Sequence, residues 1–435
     1  MMKQINNIKI IVLHVIIVIL PLYTAALTTQ VNTTSNTFGG ISETVYYSAG
    51  DSEYDTDGIV SVKKQHDRNN VIREEIYRYS PATVQEDSIQ EIRIMYDDKG
   101  RKASVHQEHD LKYTDEISNI STYYRSENET KRLQERYYSY KSIQNDFISR
   151  ISVEYNNNEV TEKITYYFTP GAVEGRKQAE VFYASDGETV RKKRVLYTQQ
   201  SINEDGVELL ELEYDTNGVI TSKIYSFSRI YQILSGYKQW IEQYKNGILR
   251  QKKIVFTEQE IAKDGVLYSL VEFKSGNPVS SEMFYSSESI AHDGVLSVKT
   301  FYKPTVYKTV KDEYTATEDI DIHSVVEITN HIKHKQVYRY SKASIKADNV
   351  KYSEFFFDEN EKPDYVCHFM SDDFIRMNKM LRYTVHFNAD GKKAWVEYFD
   401  QKNRKLKATF FNQRENPKYT EYYTRRGRVK RVEWH

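Results

Sequence analysis

The chain of 435 residues has a single cysteine, Cys367, so no disulfide forms within it and the fold must hold by packing and strand pairing. It has only 7 prolines, which excludes a Pro-rich disordered chain. It lacks a charge excess: 61 basic and 62 acidic residues leave a net charge of −1. A dedicated nucleic-acid binder shows a clear basic surplus, so no specific nucleic acid is expected as partner. No segment after the N-terminal stretch keeps a helical period beyond about two turns. A phosphate loop, a G-x-S-x-G and an H-E-x-x-H are all missing.

What the chain has in quantity is tyrosine, 37 residues. Tyrosine forms strands readily and has an apolar body with a polar tip, so strands with one wet face are expected. The N-terminus differs from the rest. Lys3 and Lys9 precede an apolar run from Ile10 to Leu22, and Thr24 and Ala26 supply small residues. This is the layout of a secretory signal peptide, residues 1–26, and implies a secreted, periplasmic or cell-surface protein. An uncleaved anchor is the alternative, since the run to Leu27 approaches the roughly 20 residues that span a bilayer, although Pro21 interrupts it. Residues 27–44, rich in Thr and Asn, are expected to be a flexible leader. Asn32, Asn119 and Asn128 lie in N-x-S/T triplets, which matter only in a glycosylating host.

From about residue 45 the chain repeats itself. "KDGVLYSLVEFKSG" (Lys263 to Gly276) returns 29 residues later as "HDGVLSVKTFYKPT" (His292 to Thr305). Gly206, Gly236, Gly265 and Gly294 are spaced 30, 29 and 29, and Gly218, Gly247 and Gly276 are spaced 29 and 29. Tyr214, Tyr244, Phe273 and Tyr302 keep the same beat, as do Tyr225, Phe256, Tyr285 and Tyr314. Weaker copies place turns at Gly58 and Asn70, Ser88 and Gly100, Glu116 and Asn128, Asp146 and Asn157, and Gly175 and Gly187. Downstream the turn slots fall at His323 and His334, Asn349 and Glu361, and Asn378 and Gly391, then at Asn403, Asn416 and Gly427. A fixed period of this length marks a repeat architecture.

Within a copy, apolar and polar residues alternate between Asp-Gly, Asn-Gly or Ser-Gly pairs, the pattern of strands joined by hairpins. Gly and Asn suit those turns because they adopt positive φ at little steric cost. The expected fold is all-β: an elongated antiparallel β-meander of about twelve hairpin repeats of ~30 residues over 45–435, as an open or superhelical sheet, with shorter units from about 380. One hairpin cannot bury its apolar side alone, so each copy provides the edge on which the next is laid.

"YDDKGRK" (Tyr96 to Lys102) and "YDTNGVI" (Tyr214 to Ile220) resemble the Y-D-x-x-G turn of YD repeats, and "FDENEK" (Phe357 to Lys362) and "FDQKNRK" (Phe399 to Lys405) are degenerate versions. Tyr-rich strands around such turns are also similar to MORN-like hairpin-repeat proteins, over roughly 350 residues. The MORN unit is shorter and richer in glycine, and shell-forming YD proteins are far longer. The resemblance implies an elongated β-sheet scaffold, often at the cell surface.

Candidate chemistry is sparse. Cys367 and His368 are adjacent, so in a strand they point to opposite faces, and a catalytic thiol would need His386 or another distant base. His331 and His334, and His106 and His109, are pairs without further ligands at a recognised metal spacing. Asp97-Asp98, Asp372-Asp373 and Glu415 near Glu421 are carboxylate pairs that a glycosidase would need across a cleft. No catalytic, metal or cofactor residue is assigned. Tyr237, Trp240 and Tyr268 are candidate ligand contacts, and Arg425, Arg426, Arg428, Lys430 and Arg431 form a basic end suited to an anionic surface or to guarding a sheet edge. The expected function is a non-catalytic, exported scaffold that binds a protein or glycan through a Tyr-rich sheet. An outer-membrane β-barrel and a carbohydrate-active hydrolase are the alternatives.

Overall fold

A computed structural model describes residues 31–114, 116–310 and 325–435. The signal-peptide segment, Tyr314 and His323 lie outside the described residues. The chain divides at Tyr113 into two units. The first contains six antiparallel strands between Asn32 and His109, and the second twenty-one between Ile117 and Trp434. In each unit every strand pairs with its neighbours in sequence, and no described pairing closes the sheet on itself. The all-β open meander is therefore the fold.

Two kinds of connection alternate. Tight turns close each hairpin. At Asp97 the carboxylate Oδ1 accepts the N–H groups of Lys99 and Arg101, both at 2.9 Å, while Gly100 takes φ 75°. Asp215, Asp358, Asp400, Asn388 and Asn412 receive the same pair of bonds. The Asp of the Y-D-x-x-G stretches is thus a side chain standing in for a backbone acceptor, the Asx-turn device. Asn246-Gly247 and Ser275-Gly276 instead have two consecutive positive φ values, the two-residue hairpin turn.

The opposite connection is a two-turn helix. Thr198, Ser228, Thr257, Ser286, Ser341 and Ser371 cap its start, each side chain accepting the N–H three residues on. Gly206, Gly236, Gly265 and Gly294 end it in the left-handed conformation. These glycines are therefore helix C-caps rather than hairpin turns, and a positive φ is the requirement common to both. Each cap carbonyl then accepts the N–H of the following helix's N-cap: Ser228 on Gly206, Thr257 on Gly236, Ser286 on Gly265 and Ser341 on Gly294, at 2.7–2.9 Å. That bond ties copy to copy and enforces the common period.

Several expected slots shift. Positive φ falls on Phe147, Glu159, Glu129, Lys379 and Glu415, one or two residues from Asp146, Asn157, Asn128, Asn378 and Asn416. Tertiary context holds poor left-handed formers there, so composition misplaced the turns. His334 is not in a turn: it lies within Val325–Tyr340, paired along its length with Val295–Val310 as one long hairpin in place of two copies. The leader 27–44 is also revised, because Asn32–Ser35 and Gly39–Tyr46 form a hairpin laid on Ile59–Asp67. Asn36 organises it, its Oδ1 accepting the N–H of Phe38 and Gly40 and its Nδ2 donating to the Ile41 and His66 carbonyls. Polar Thr and Asn residues still offer full backbone pairing, which is all an edge hairpin needs.

Register sorts the second unit into two faces. One carries the buried Ala179, Val195, Val298, Val366, Val385 and Val396. Tyr214, Tyr244, Phe273 and Tyr302 line its tight-turn end, and Phe227, Phe256, Tyr285 and Tyr340 its helix end. Phe227, not Tyr225, is thus the true equivalent of Phe256. The other face is wetter and holds the site described next.

Candidate functional site

On that second face the last seven strands place one ring each in a single row: Phe356, Tyr365, His386, Trp395, Phe410, Tyr419 and Trp434. Cross-strand partners stand close enough for their rings to meet. Ring centroids are 4.4 Å apart for Phe356–Tyr365, 5.5 Å for Tyr365–His386, 4.3 Å for His386–Trp395, 4.6 Å for Phe410–Tyr419 and 5.0 Å for Tyr419–Trp434. Interplanar angles stay between 10° and 30° until the last step, which opens to 46°. Ring meets ring at these five steps, while Trp395 and Phe410 are aligned by register alone. Lys335 continues the row on the N-terminal side, its ammonium between Phe301 and Phe356 at 5.8 and 5.2 Å.

The adjacent row on the same face is Glu354, Cys367, Thr384, Glu397, Ala408 and Glu421. Two of its carboxylates have basic neighbours: Glu354 pairs with Lys335 at 2.7 Å, and Glu397 with Lys405 at 2.7 Å and His386 at 3.3 Å, while Glu421 accepts the Tyr423 O–H. Burial pushes the Glu397 carboxyl up, but Lys405 and His386 outweigh it and hold it below its usual value. Beyond lies a second aromatic row, where Tyr352 stacks on Phe369 at 4.5 Å and Arg382 covers Phe399 at 3.9 Å. Glu354, Phe356, Tyr365, Cys367, Phe369 and Arg382 line a shallow groove between the two rows.

The sequence candidates are scattered. Tyr237 and Trp240 share the apolar face, 5.8 Å apart. Trp240 packs edge-on to Phe227 at 4.9 Å beneath the Lys252 ammonium at 3.7 Å, and its buried indole N–H has no protein partner. Tyr268 is on the opposite face, stacked on Phe284 at 4.6 Å. The three therefore do not form one outward-facing surface. Arg425 and Arg426 sit in the last tight turn, and Arg428, Lys430 and Arg431 in or beside the terminal strand Val429–Trp434, all exposed.

Cys367 and His368 do point to opposite faces. Cys367, buried, meets Thr384 Oγ1 at 3.4 Å and Arg382 at 3.5 Å, while His368 stacks on Tyr383 and bonds Ser353. His386, the other candidate base, is engaged by Glu397. Asp97 is bound to Arg101, Asp372 to Lys351 and Asp373 to Arg376.

The ladder escaped sequence reading, yet a signal existed. Phe356 and Tyr365, His386 and Trp395, and Phe410 and Tyr419 are aromatic pairs nine residues apart, each straddling a tight turn. Comparison with protein-family models finds no match, and no curated protein matches the chain.

Proposed function

We propose that this chain is an exported, non-catalytic scaffold that binds a protein partner across the ring ladder of its last seven strands. The observation that carries the reading is the row of seven rings aligned by register on one face, in ring contact at five of its six steps and flanked by ion pairs. Rigid aromatic side chains of this kind give large contact area at little entropic cost, which is why they dominate protein interfaces. A glycan is the weaker fit. Sugar rings stack on aromatic faces, and here five of the six steps of the row already have ring against ring.

A lipid-facing barrel wall must be apolar in every strand. Here Lys193, Lys223 and Lys252 lie mid-strand on one face and Glu180, Arg194 and Glu211 on the other, which favours the scaffold over the barrel. Asp97, Asp98, Asp372 and Asp373 are held in ion pairs, Glu415 accepts the Lys393 N–H and Glu421 the Tyr423 O–H, which favours binding over turnover.

The test immobilises the mature chain beside a Trp395→Ser/Tyr419→Ser variant and exposes both to solubilised surface proteins and to a glycan panel. A protein retained by the wild type and lost by the variant is expected. Retention of a glycan, lost in the variant, replaces the protein by a sugar, and release of glycan fragments refutes the non-catalytic reading.

A further inference from the structure

Among the described residues the strand Val429–Trp434 pairs with Pro417–Tyr423 alone, and all six of its residues are exposed. The His435 N–H bonds the Lys418 carbonyl. By antiparallel alternation Arg431 and Glu433 then spend their backbone groups on the neighbouring strand, and Val432 and Trp434 direct theirs to the open edge. Unpaired N–H and C=O groups in that arrangement are a template for another strand.

Two further features specify what fits there. Of the five cations at this end, Arg431 pairs with Glu433 at 3.0 Å, whereas Arg425, Arg426, Arg428 and Lys430 have no carboxylate partner among the described residues. Trp434, 70% exposed, ends the ring ladder with one side uncovered, and Val432 beside it is 42% exposed. Every earlier ring of the row has a strand on both sides.

From these features we infer that the edge of Val429–Trp434 takes an acidic, extended protein segment by strand addition, with an aromatic side chain of that segment on Trp434. Backbone bonds to Val432 and Trp434 supply the pairing, the four uncompensated cations select acidic sequence, and the added ring continues the ladder. This edge shares Trp434 with the ladder, but its backbone groups and cations lie outside the ladder face and stay in place in the Trp395→Ser/Tyr419→Ser variant, so either proposal can fail alone.

The probe is a fluorescein-labelled ten-residue peptide alternating Glu and Tyr, titrated against the mature chain by anisotropy. Val432→Pro removes an outward N–H while leaving the bonds to the neighbouring strand, and should weaken binding at least tenfold. Arg428→Glu/Lys430→Glu, which changes only exposed charges, should weaken it at least as much and keeps the test valid if the proline variant unfolds. A peptide alternating Lys and Tyr should not bind. Equal binding of the Lys peptide, no loss in either variant, or binding of phosphatidylserine vesicles or single-stranded DNA in place of the Glu peptide each overturns the inference. So does a self-association, seen by sedimentation, that Val432→Pro abolishes while the Glu peptide fails to bind.

Discussion

Acidification from pH 7 to pH 5 is expected to loosen the strands around His368 while leaving a His368→Gln variant much less affected. His368 stacks on Tyr383 at 4.6 Å and meets Phe355 edge-on at 6.4 Å. Its Nδ1 lies 2.7 Å from the Ser353 hydroxyl, and that fully buried serine accepts the Tyr340 O–H at 2.9 Å. With Tyr340 donating, Ser353 is left to donate to a neutral Nδ1. A charged ring would donate from Nδ1 and leave the buried Ser353 O–H without its acceptor. Burial lowers the His368 pKa from 6.5 to about 4. The folded value lies below the unfolded one, so the unfolded chain takes the proton first as pH falls. The stabilisation from a neutral ring is complete above the unfolded value and is lost on going from 6.5 toward 4. Linkage over pH 7 to 5 gives ~1.8 kcal/mol, and solvent screening of a partly exposed ring reduces this to about 1 kcal/mol. A repeat array does not unfold as one two-state unit, so the assay is local. Hydrogen exchange across residues 350–387 is compared in wild type and variant, beside an NMR titration of the imidazole. A titration midpoint at pH 6 or above, or equal loss of protection in the two proteins, refutes the reasoning.

Glycine at a helix cap and glycine at an open turn should respond differently to alanine. At Gly247 a Cβ meets nothing within 4 Å, so Gly247→Ala should cost only the left-handed strain of ~1 kcal/mol, whereas at Gly206 it would lie 2.1 Å from the Tyr231 ring, and Gly206→Ala should cost at least ~1 kcal/mol more. Equal thermal shifts would contradict this. Thr257→Ala removes the hydroxyl that accepts the Glu260 N–H at 3.3 Å and should lower local stability by ~1 kcal/mol, read by exchange of the amides of Glu258–Asp264. Trp395→Ala breaks the ladder beside His386 and should destabilise the C-terminal strands by ~2 kcal/mol, read by hydrogen exchange of their amides; a change below ~0.5 kcal/mol would mean that the aromatic row contributes little.

The local grammar was legible in the residues. Alternation of apolar and polar side chains requires strands, Asp-x-x-Gly and Asn-Gly require reversals, and a period of 29 or 30 requires equivalent copies, because each depends on backbone conformations that neighbouring residues dictate. What lay beyond local reach was which face each residue occupies. A bulge where Tyr237 and Gln239 meet Phe256 and Val255 puts Tyr237 on the same side as Trp240 and away from Tyr268, and a one-residue slip inverts every side chain of a strand. Gly206 announced a positive φ, but that it ends a helix rather than a hairpin depends on Thr198 capping eight residues earlier and on the Ser228 bond to its carbonyl. Phe356, Tyr365, His386, Trp395, Phe410, Tyr419 and Trp434 span 79 positions of sequence, and only cross-strand register makes them one row. Sequence set the conformation of each strand and turn; pairing between distant strands chose the neighbours, and with them the surface a partner would meet.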